Sequence, residues 1–285
     1  MHNNIKISGC VVLYNPGENI LYNINLILNQ INRLYVIDNS DQNKYEILLD
    51  NNNISYIKNY ENRGVASALN QAARQSIIDG YNYLLTIDQD SLLDPHLIDN
   101  YIKYLQSNKS DRLGLLSPNY LYKEYSKNLV RKSDYYILLS MTSGSLLNLD
   151  AYKKVGPFLE KLFIDYVDFE YCLRLRNKGF TIIKIHNANI CHNLGSIQER
   201  KFLFRKISIT DHSPLRLFYR TRNRFYVYKL YLKHFPVFVL RDLIVFSNEL
   251  IKIFFYEKNK IEKYKWILKG FKYFLKNKMG KYELE

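Results

Sequence analysis

The chain has 285 residues, of which 47% are hydrophobic and 24% charged, which argues for a globular protein rather than a disordered one. At this length one large domain, or one domain with an appendage, is expected. Net charge is +14, yet residues 1–200 are nearly balanced, with 21 Lys and Arg against 20 Asp and Glu, while residues 201–285 hold 20 against 7. The excess at one end suits an anionic partner, either nucleic acid or a membrane surface. The cysteines, Cys10, Cys172 and Cys191, have no disulfide or metal spacing and read as buried small hydrophobes in a reducing compartment. MHNNIKISGCVVLYN has no basic region followed by an apolar stretch, so no signal peptide is expected.

In chain order, IKISGCVVLYN (5–15) is β-rich and breaks at Pro16-Gly17, and NILYNINLILNQI (19–31) has helical spacing. RLYVIDNSD (33–41) and ISYIKN (54–59) read as strands, and NRGVASALNQAARQSIIDG (62–80) as a turn leading into a helix that stops at Gly80. YNYLLTID (81–88) is the next strand, DPHLIDNYIKYLQSN (94–108) a helix and RLGLLSPN (112–119) a strand. This alternation predicts βαβ units and a mostly parallel sheet. A polar loop (122–134), a strand at 135–149, a helix over 167–177 and a strand over 180–192 follow. FPVFVLRDLIVFSNELIKIFFY (235–256) is interrupted by Arg241, Asp242, Glu249 and Lys252, so a simple membrane span is not expected.

The stretch LLTIDQDS (84–91) ends an apolar run with Asp88 and Asp90. In open α/β sheets, ligands bind beyond the carboxyl ends of the strands. Two carboxylates at i and i+2 repel unless a cation lies between them, and a hard divalent ion such as Mg²⁺ or Mn²⁺ suits their oxygens. A D-x-D tripeptide alone is as readily a solvated turn or a helix cap. Asp38 and the Asn62-Arg63-Gly64 turn fall at the same expected sheet edge as the Asp88/Asp90 pair, and together the three could hold a nucleotide. Asp165 and Asp168, in LFIDYVDFEYCLRLRNKG (162–179), either cap the helix at 167 or supply a general base.

These stretches, with VVLYNP (11–16), SGSLLNL (143–149) and ICHNLG (190–195), resemble the inverting family-2 glycosyltransferases of the GT-A fold, and among them bacterial rhamnosyltransferases of O-antigen and capsule synthesis. The resemblance covers about residues 5–195. It implies an α/β GT-A catalytic domain over 1–200 and a basic, aromatic-rich helical extension over 201–285. It implies that Asp38, Asn62, Gly64 and Asp88 bind the donor, that Asp90, with Asp88 and His192, binds Mg²⁺ or Mn²⁺, and that Asp168 is the catalytic base. Val167 departs from the pattern, since many relatives have glutamate before the base. Ser143 and Ser145 either border a sugar or form a plain tight strand. In DHSPLRLFYRTRNRFYVYK (211–229), Arg216, Arg220, Arg222 and Arg224 lie at near-helical spacing. Arg220 is taken as donor-binding, against the alternative of a solvated basic face.

The implied reaction moves a sugar, with dTDP-L-rhamnose the favoured donor, onto a polyprenyl-diphosphate-linked saccharide. UDP-activated galactofuranose, glucose or N-acetylglucosamine are the alternatives. A nucleic-acid-binding protein would leave the carboxylates unexplained, and no such motif is present. A nucleotidyltransferase would carry basic residues in the loop YNPGEN (14–19), which has none. In YKWILKGFKYFLKNK (264–278), Tyr264, Ile267, Leu268, Phe271, Phe274 and Leu275 share one helical face, and Lys265, Lys269, Lys272 and Lys276 another. That face either packs on the protein or, as expected here, lies on an anionic membrane, placing the enzyme peripherally on the cytoplasmic face.

Overall fold

The computed structural model describes residues 5–41, 51–121, 133–192, 198–202, 205–209 and 211–283. The chain forms two compact units, Met1–Glu160 with Val167–Asn193, and Lys161–Tyr166 with Leu194–Glu285. The boundary thus falls near 193 rather than 200, and six residues ahead of the 167 helix belong to the second unit.

The first unit is built on strands whose apolar runs are buried almost throughout: β1 (Ile7–Leu13), β2 (Leu34–Asp38) and β4 (Tyr83–Asp88). Continuous apolar strands of this kind suit the middle of a parallel sheet covered on both faces. With β3 (Ile54–Lys58) they run parallel in the order β3-β2-β1-β4. The helices α1 (Ile20–Leu28) and α2 (Val65–Ile78) lie between strands in the chain, as crossovers require. Register aligns Leu13 with Asp38, Asp38 with Lys58, and Val12 with Asp88, so these carboxyl ends share one edge.

Beyond β4 the sheet turns mixed. β8 (Ser145–Asn148) is antiparallel to both β4 and β6 (Leu113–Leu121), and β6 is parallel to β9 (Thr181–His192). The short β5 (Ser91–Leu93) and β7 (Tyr135–Tyr136) pair antiparallel with β9. The helices α3 (Leu97–Ser107), α4 (Leu149–Val155) and α5 (Val167–Asn177) complete the unit. The strand expected over 135–149 survives only at its two ends. Between them Gly144 has φ +76°, and an added Cβ would lie 2.8 Å from Pro118 and 2.9 Å from Ile190. That left-handed glycine breaks the extended run. The loop expected at 122–134 lies largely outside the described residues, as do residues 193–195 of ICHNLG.

The second unit contains a hairpin, β10 (Gln198–Phe202) and β11 (Arg205–Ile209), and three helices, α6 (Pro214–Tyr231), α7 (Pro236–Tyr256) and α8 (Lys260–Leu275). The hairpin is an addition to the all-helical extension expected there. α6 opens on Ser213, whose hydroxyl accepts from the Arg216 amide at 3.3 Å, with Pro214 at the first turn. α8 crosses α6 closely: a Cβ on Gly270 would lie 2.5 Å from the Phe218 carbonyl oxygen. Phe218 then sits among Tyr219, Trp266, Tyr273 and Tyr282.

The apolar face of α8 is turned mainly inward. Ile267 is buried beside Leu217 and Ile253, the Tyr264 hydroxyl donates to the Leu250 carbonyl, and Phe271 and Phe274 pack on Phe225. Only Leu268 and Leu275 of that face stay exposed. Packing on the protein, rather than the membrane contact expected of this face, therefore accounts for most of its spacing.

Two of the four arginines of α6 are buried rather than solvated. Arg222 donates to the carbonyls of Gly280 and Leu162. Arg224 donates to the Tyr166 hydroxyl at 2.5 Å, to Asp242 at 3.1 Å and to Glu249 at 3.1 Å. Asp242 also accepts from Tyr166 and Tyr228. Residues 161–166 are fixed by this helix. Phe163, Asp165 and Tyr166 have φ of 66°, 59° and 64°, a conformation that costs a non-glycine residue about 1–2 kcal/mol. Asn223, fully buried, donates to the carbonyls of Leu162, Ile164 and Asp165 at 2.7, 2.7 and 3.0 Å.

Asn223→Leu keeps the volume but removes those donors. The Leu162 carbonyl keeps Arg222 and the Ile164 amide, but the Ile164 and Asp165 carbonyls lose this donor at about 1–3 kcal/mol each, so the variant should lose about 2–6 kcal/mol in a denaturant melt. A wild-type midpoint would show that Asn223 does not hold the segment.

Candidate functional site

Asp88 ends β4 half-buried and Asp90 is exposed on the turn that follows. Two like charges here need a turn that is held by something other than themselves. Gln89, between them, supplies one hold: its Oε1 accepts from the Tyr14 amide at 2.9 Å and its Nε2 donates to the Tyr14 carbonyl at 3.2 Å. Asn23 of α1 donates to the Gln89 carbonyl at 3.0 Å. From behind, the buried Ser143 hydroxyl accepts from the Asp88 amide at 3.0 Å and donates to Ser91 Oγ at 2.8 Å. The turn is thus tied to the end of β1, to α1 and to the residue before Gly144. Ser143 acts as this support; Ser145 lies deeper, its hydroxyl donating to the Met141 carbonyl at 2.6 Å.

β5 pairs with β9 so that Ser91 stands opposite His192. Directly opposed residues of antiparallel strands have Cα atoms about 4.5–5.5 Å apart, so the backbone brings position 192 beside Asp90. The side chain of His192 is not among the described ones. Among the described residues no group of three or more His, Cys, Asp or Glu gathers as a metal site. The donor set of the turn is therefore two hard carboxylates.

Asp38 is placed differently from an open ligand. It is fully buried; Oδ1 accepts from the Ser40 amide at 2.8 Å, and Oδ2 accepts from the Tyr56 hydroxyl at 2.5 Å and the Lys58 ammonium at 3.2 Å. Lys58 also donates to the Ser40 carbonyl. Burial would raise the Asp38 carboxyl, but the hydrogen bonds from Ser40, Tyr56 and Lys58 outweigh it and hold it below the ordinary value. Asp38 thus shapes the Asn39–Ser40 corner, and Ser40 in turn accepts from the Asn15 amide at 2.8 Å. Asn62 forms an Asx turn, accepting from the Gly64 amide at 2.9 Å, and Asn39 donates to the Gly64 carbonyl at 3.2 Å. Asn39 also accepts from Asn59 at 2.8 Å. The Asp38 corner and the 62–64 turn are therefore one hydrogen-bonded rim.

Asp168 lies in the first turn of α5, where the helix dipole favours a carboxylate, and accepts from the Phe169 amide at 2.9 Å. Its charge reaches two buried groups. Cys172 is pushed up to about 12, first by burial and then by Asp168 and Glu170. Tyr120 is raised by burial, with Asp168 adding to it. The Tyr120 hydroxyl bonds the carbonyls of Met141 and Ser143 and the Ser140 hydroxyl. Tyr120 and Ser143 thus tie the 140–143 segment to the Asp88 amide. Glu170 is buried and paired with Arg174 at 2.9 Å, which gives it a structural task on α5.

Asp165 and Arg220 belong to the second unit. Asp165 accepts from Arg216 at 3.4 Å, and Arg220 pairs with Glu249 at 3.2 Å. Gln89, Tyr120 and Lys58 were not singled out by the sequence. Gln89 was hidden as the variable residue of a D-x-D, and only three-dimensional proximity reveals the other two.

The family model described as "Glycosyl transferase family 2" matches residues 8–163. The "dTDP-rhamnosyl transferase RfbF" of Shigella flexneri is 27% identical over 270 residues, covering 85% of this chain and 86% of RfbF. The "Bifunctional glycosyltransferase pgtA" of Dictyostelium discoideum is 31% identical over 111 residues, 35% of this chain and 14% of pgtA. Two solved structures align with a TM-score of 0.54 at 13% identity: GalNAc-T7 with UDP, GalNAc and Mn²⁺, over 66% of this chain and 43% of that one, and S. aureus TarS, over 93% and 43%. At that identity they speak to the fold alone, which is the GT-A arrangement expected from the sequence. This chain spans less than half of either solved chain and most of RfbF.

The charge on Asp38 has a measurable signature. Its folded value lies below that of an unfolded aspartate, so its stabilisation is present above roughly pH 4 and is lost as pH falls through the folded value. Asp38→Asn should be less stable than wild type at pH 7, and the gap should narrow from about pH 4 downward. A gap of equal size at pH 7 and pH 3 in urea melts would mean that the charge contributes nothing.

Proposed function

The chain belongs to glycosyl transferase family 2 and is a glycosyltransferase, and we propose that it transfers L-rhamnose from dTDP-L-rhamnose, with inversion, to a polyprenyl-diphosphate-linked saccharide. The observation that carries the donor is the 27% identity to a dTDP-rhamnosyl transferase across most of both chains. The site chemistry supports a single displacement. Asp168, beside the helix α5 N-terminus, takes the proton of an acceptor hydroxyl onto its carboxylate. The acceptor oxygen attacks the anomeric carbon from the face opposite the diphosphate. The bond from that carbon to the diphosphate oxygen breaks, and dTDP leaves with the electron pair. The rim of Asn39, Asn62 and Gly64 positions the nucleoside, with Asp38 holding that rim from inside.

Mg²⁺ or Mn²⁺ fits the two hard carboxylates of the turn, and Asp88, Asp90 and His192 would hold it, where it would neutralise charge on the diphosphate. One solved relative by fold carries Mn²⁺ together with UDP, which supports this cofactor class. A polyprenyl-linked acceptor also calls for the protein to work at the inner membrane surface. Among the described residues no helix is long and apolar enough to cross a membrane, so the association would be peripheral.

Purified protein should hydrolyse dTDP-L-rhamnose faster than UDP-galactofuranose, UDP-glucose or UDP-N-acetylglucosamine in the absence of acceptor. Preference for a UDP-sugar would replace the donor and keep the enzyme class. Asp168→Asn should retain donor binding and lose roughly a hundredfold or more in transfer, the size of a general-base contribution. Wild-type turnover would remove Asp168 as base and turn attention to Asp165.

Chelation should abolish transfer, with Mg²⁺ or Mn²⁺ restoring it, and Asp90→Ala should raise the metal concentration needed. Full activity in excess chelator would remove the cation from the mechanism.

A further inference from the structure

The helix α7 is built inside out for a soluble protein. Its inward face carries the acids: Asp242 is bound by Arg224, Tyr166 and Tyr228, and Glu249 by Arg224 and Arg220. Glu257, just after the helix, is buried against Lys263. Its outward face carries the hydrophobes. Val237, Leu240, Ile244, Ile251 and Phe255 follow one another at intervals of three, four, seven and four, so they form a single stripe, with exposures of 60, 62, 55, 53 and 59%. Leu243, Val245 and Phe254 widen it and are also exposed. At 1.5 Å per residue the stripe runs about 27 Å. An exposed leucine needs no explanation, but an apolar face of this length, interrupted at mid-helix by the exposed Asn248, marks an interaction surface.

Charge chooses the occupant. The exposed charged residue on α7 is a cation, Arg241. Exposed lysines bracket the helix in sequence, Lys229 and Lys233 before it and Lys258 and Lys260 after it. Asp242, Glu249 and Glu257 are turned inward, and Glu262 is the exposed acid beside the second lysine pair. A second copy of the same face would bring like charges together. An anionic lipid surface offers what both parts of this helix require, acyl chains for the stripe and phosphates for its ends.

We infer that the outer face of α7 is the element that seats this protein on an anionic bilayer, lying in the interface rather than spanning it. This rests on the reading of a membrane-borne acceptor, and it moves the contact from α8, whose apolar face is largely spent on packing.

The test is co-sedimentation with phosphatidylglycerol vesicles and with phosphatidylcholine vesicles. Wild-type protein should pellet with the first at low salt, be weakened by high salt, and stay in solution with the second. The triple variant Leu240→Asp, Ile244→Asp, Ile251→Asp should lower the pelleted fraction at least about tenfold, with donor hydrolysis and melting unchanged. Since all three positions are exposed, the fold should tolerate it. Ile251→Trp gives an independent reading, since its emission should shift to the blue with anionic vesicles alone. If the triple variant pellets like wild type, or the Ile251→Trp emission does not move, the α7 assignment fails while membrane association stands. If wild-type protein stays in the supernatant with phosphatidylglycerol, the membrane reading itself fails. If it is instead a dimer that the triple variant makes monomeric, with no lipid binding by either, the face belongs to a second copy and the inference is overturned.

Discussion

The structure of the site depends on keeping two carboxylates at the end of a buried apolar strand. Like charges a few ångströms apart repel by about 1–4 kcal/mol at the effective dielectric of a protein surface. Nothing in β4 itself opposes that, since its interior residues Leu84, Leu85, Thr86 and Ile87 are buried and uncharged. The turn is held instead by neutral groups acting on backbone: Gln89 on Tyr14, Asn23 on Gln89, and Ser143 on the Asp88 amide. These groups hold the backbone of the turn through uncharged hydrogen bonds that reach β1, α1 and the residue before Gly144.

The parts of this arrangement legible in the sequence are those that depend on local periodicity. Apolar runs of the right length gave β1, β2 and β4, and the 62–80 and 167–177 helices appear within a few residues of where their spacing puts them. The D-Q-D stretch stood out because it falls at the same expected sheet edge as Asp38 and the 62–64 turn. What stayed hidden depends on contacts distant in the chain. Asp38 looks like an open ligand at a strand end, and only Tyr56 and Lys58, some 20 residues on, turn it inward. The strand expected through 135–149 fails because Gly144 and its serine neighbours turn back to serve residues more than 50 positions earlier. Arg222 and Arg224 look like a solvated face. Their partners Leu162 and Tyr166 precede them by about 60 residues, and no pattern on α6 announces them.

The same limit explains the exchange of roles between α7 and α8. An amphipathic pattern tells which residues share a face, not what that face meets. On α8 the apolar face meets α6. On α7 the mixed sequence, with two acids inside a long apolar segment, resembles a poor buried helix until the acids find Arg220 and Arg224. Buried ion pairs of this sort contribute little net stability compared with hydrophobic residues of similar volume, because desolvation offsets the attraction. Their presence is therefore better explained by what they remove than by what they add. Drawing Asp242 and Glu249 inward leaves Arg241 as the exposed charge on the helix.

Under the proposed reaction the two substrates live in different phases, and that is where this asymmetry matters most. A nucleotide sugar diffuses in water, whereas a polyprenyl-linked acceptor stays in the bilayer. Adsorption confines the enzyme to the acceptor's own surface and raises the effective concentration of one for the other without any new contact at the site. A spanning helix would achieve the same confinement irreversibly. An interfacial helix with lysines at its ends achieves it with a strength set by lipid charge, at about 1 kcal/mol for each cation near the surface. Four or five such cations and a single apolar stripe lie in the range where binding is reversible. The concentration of basic charge in the last 85 residues then complements the near-neutral first 200. Residues 1–200 carry little net charge that would hold them to the lipid, and the last 85 carry the charge that would.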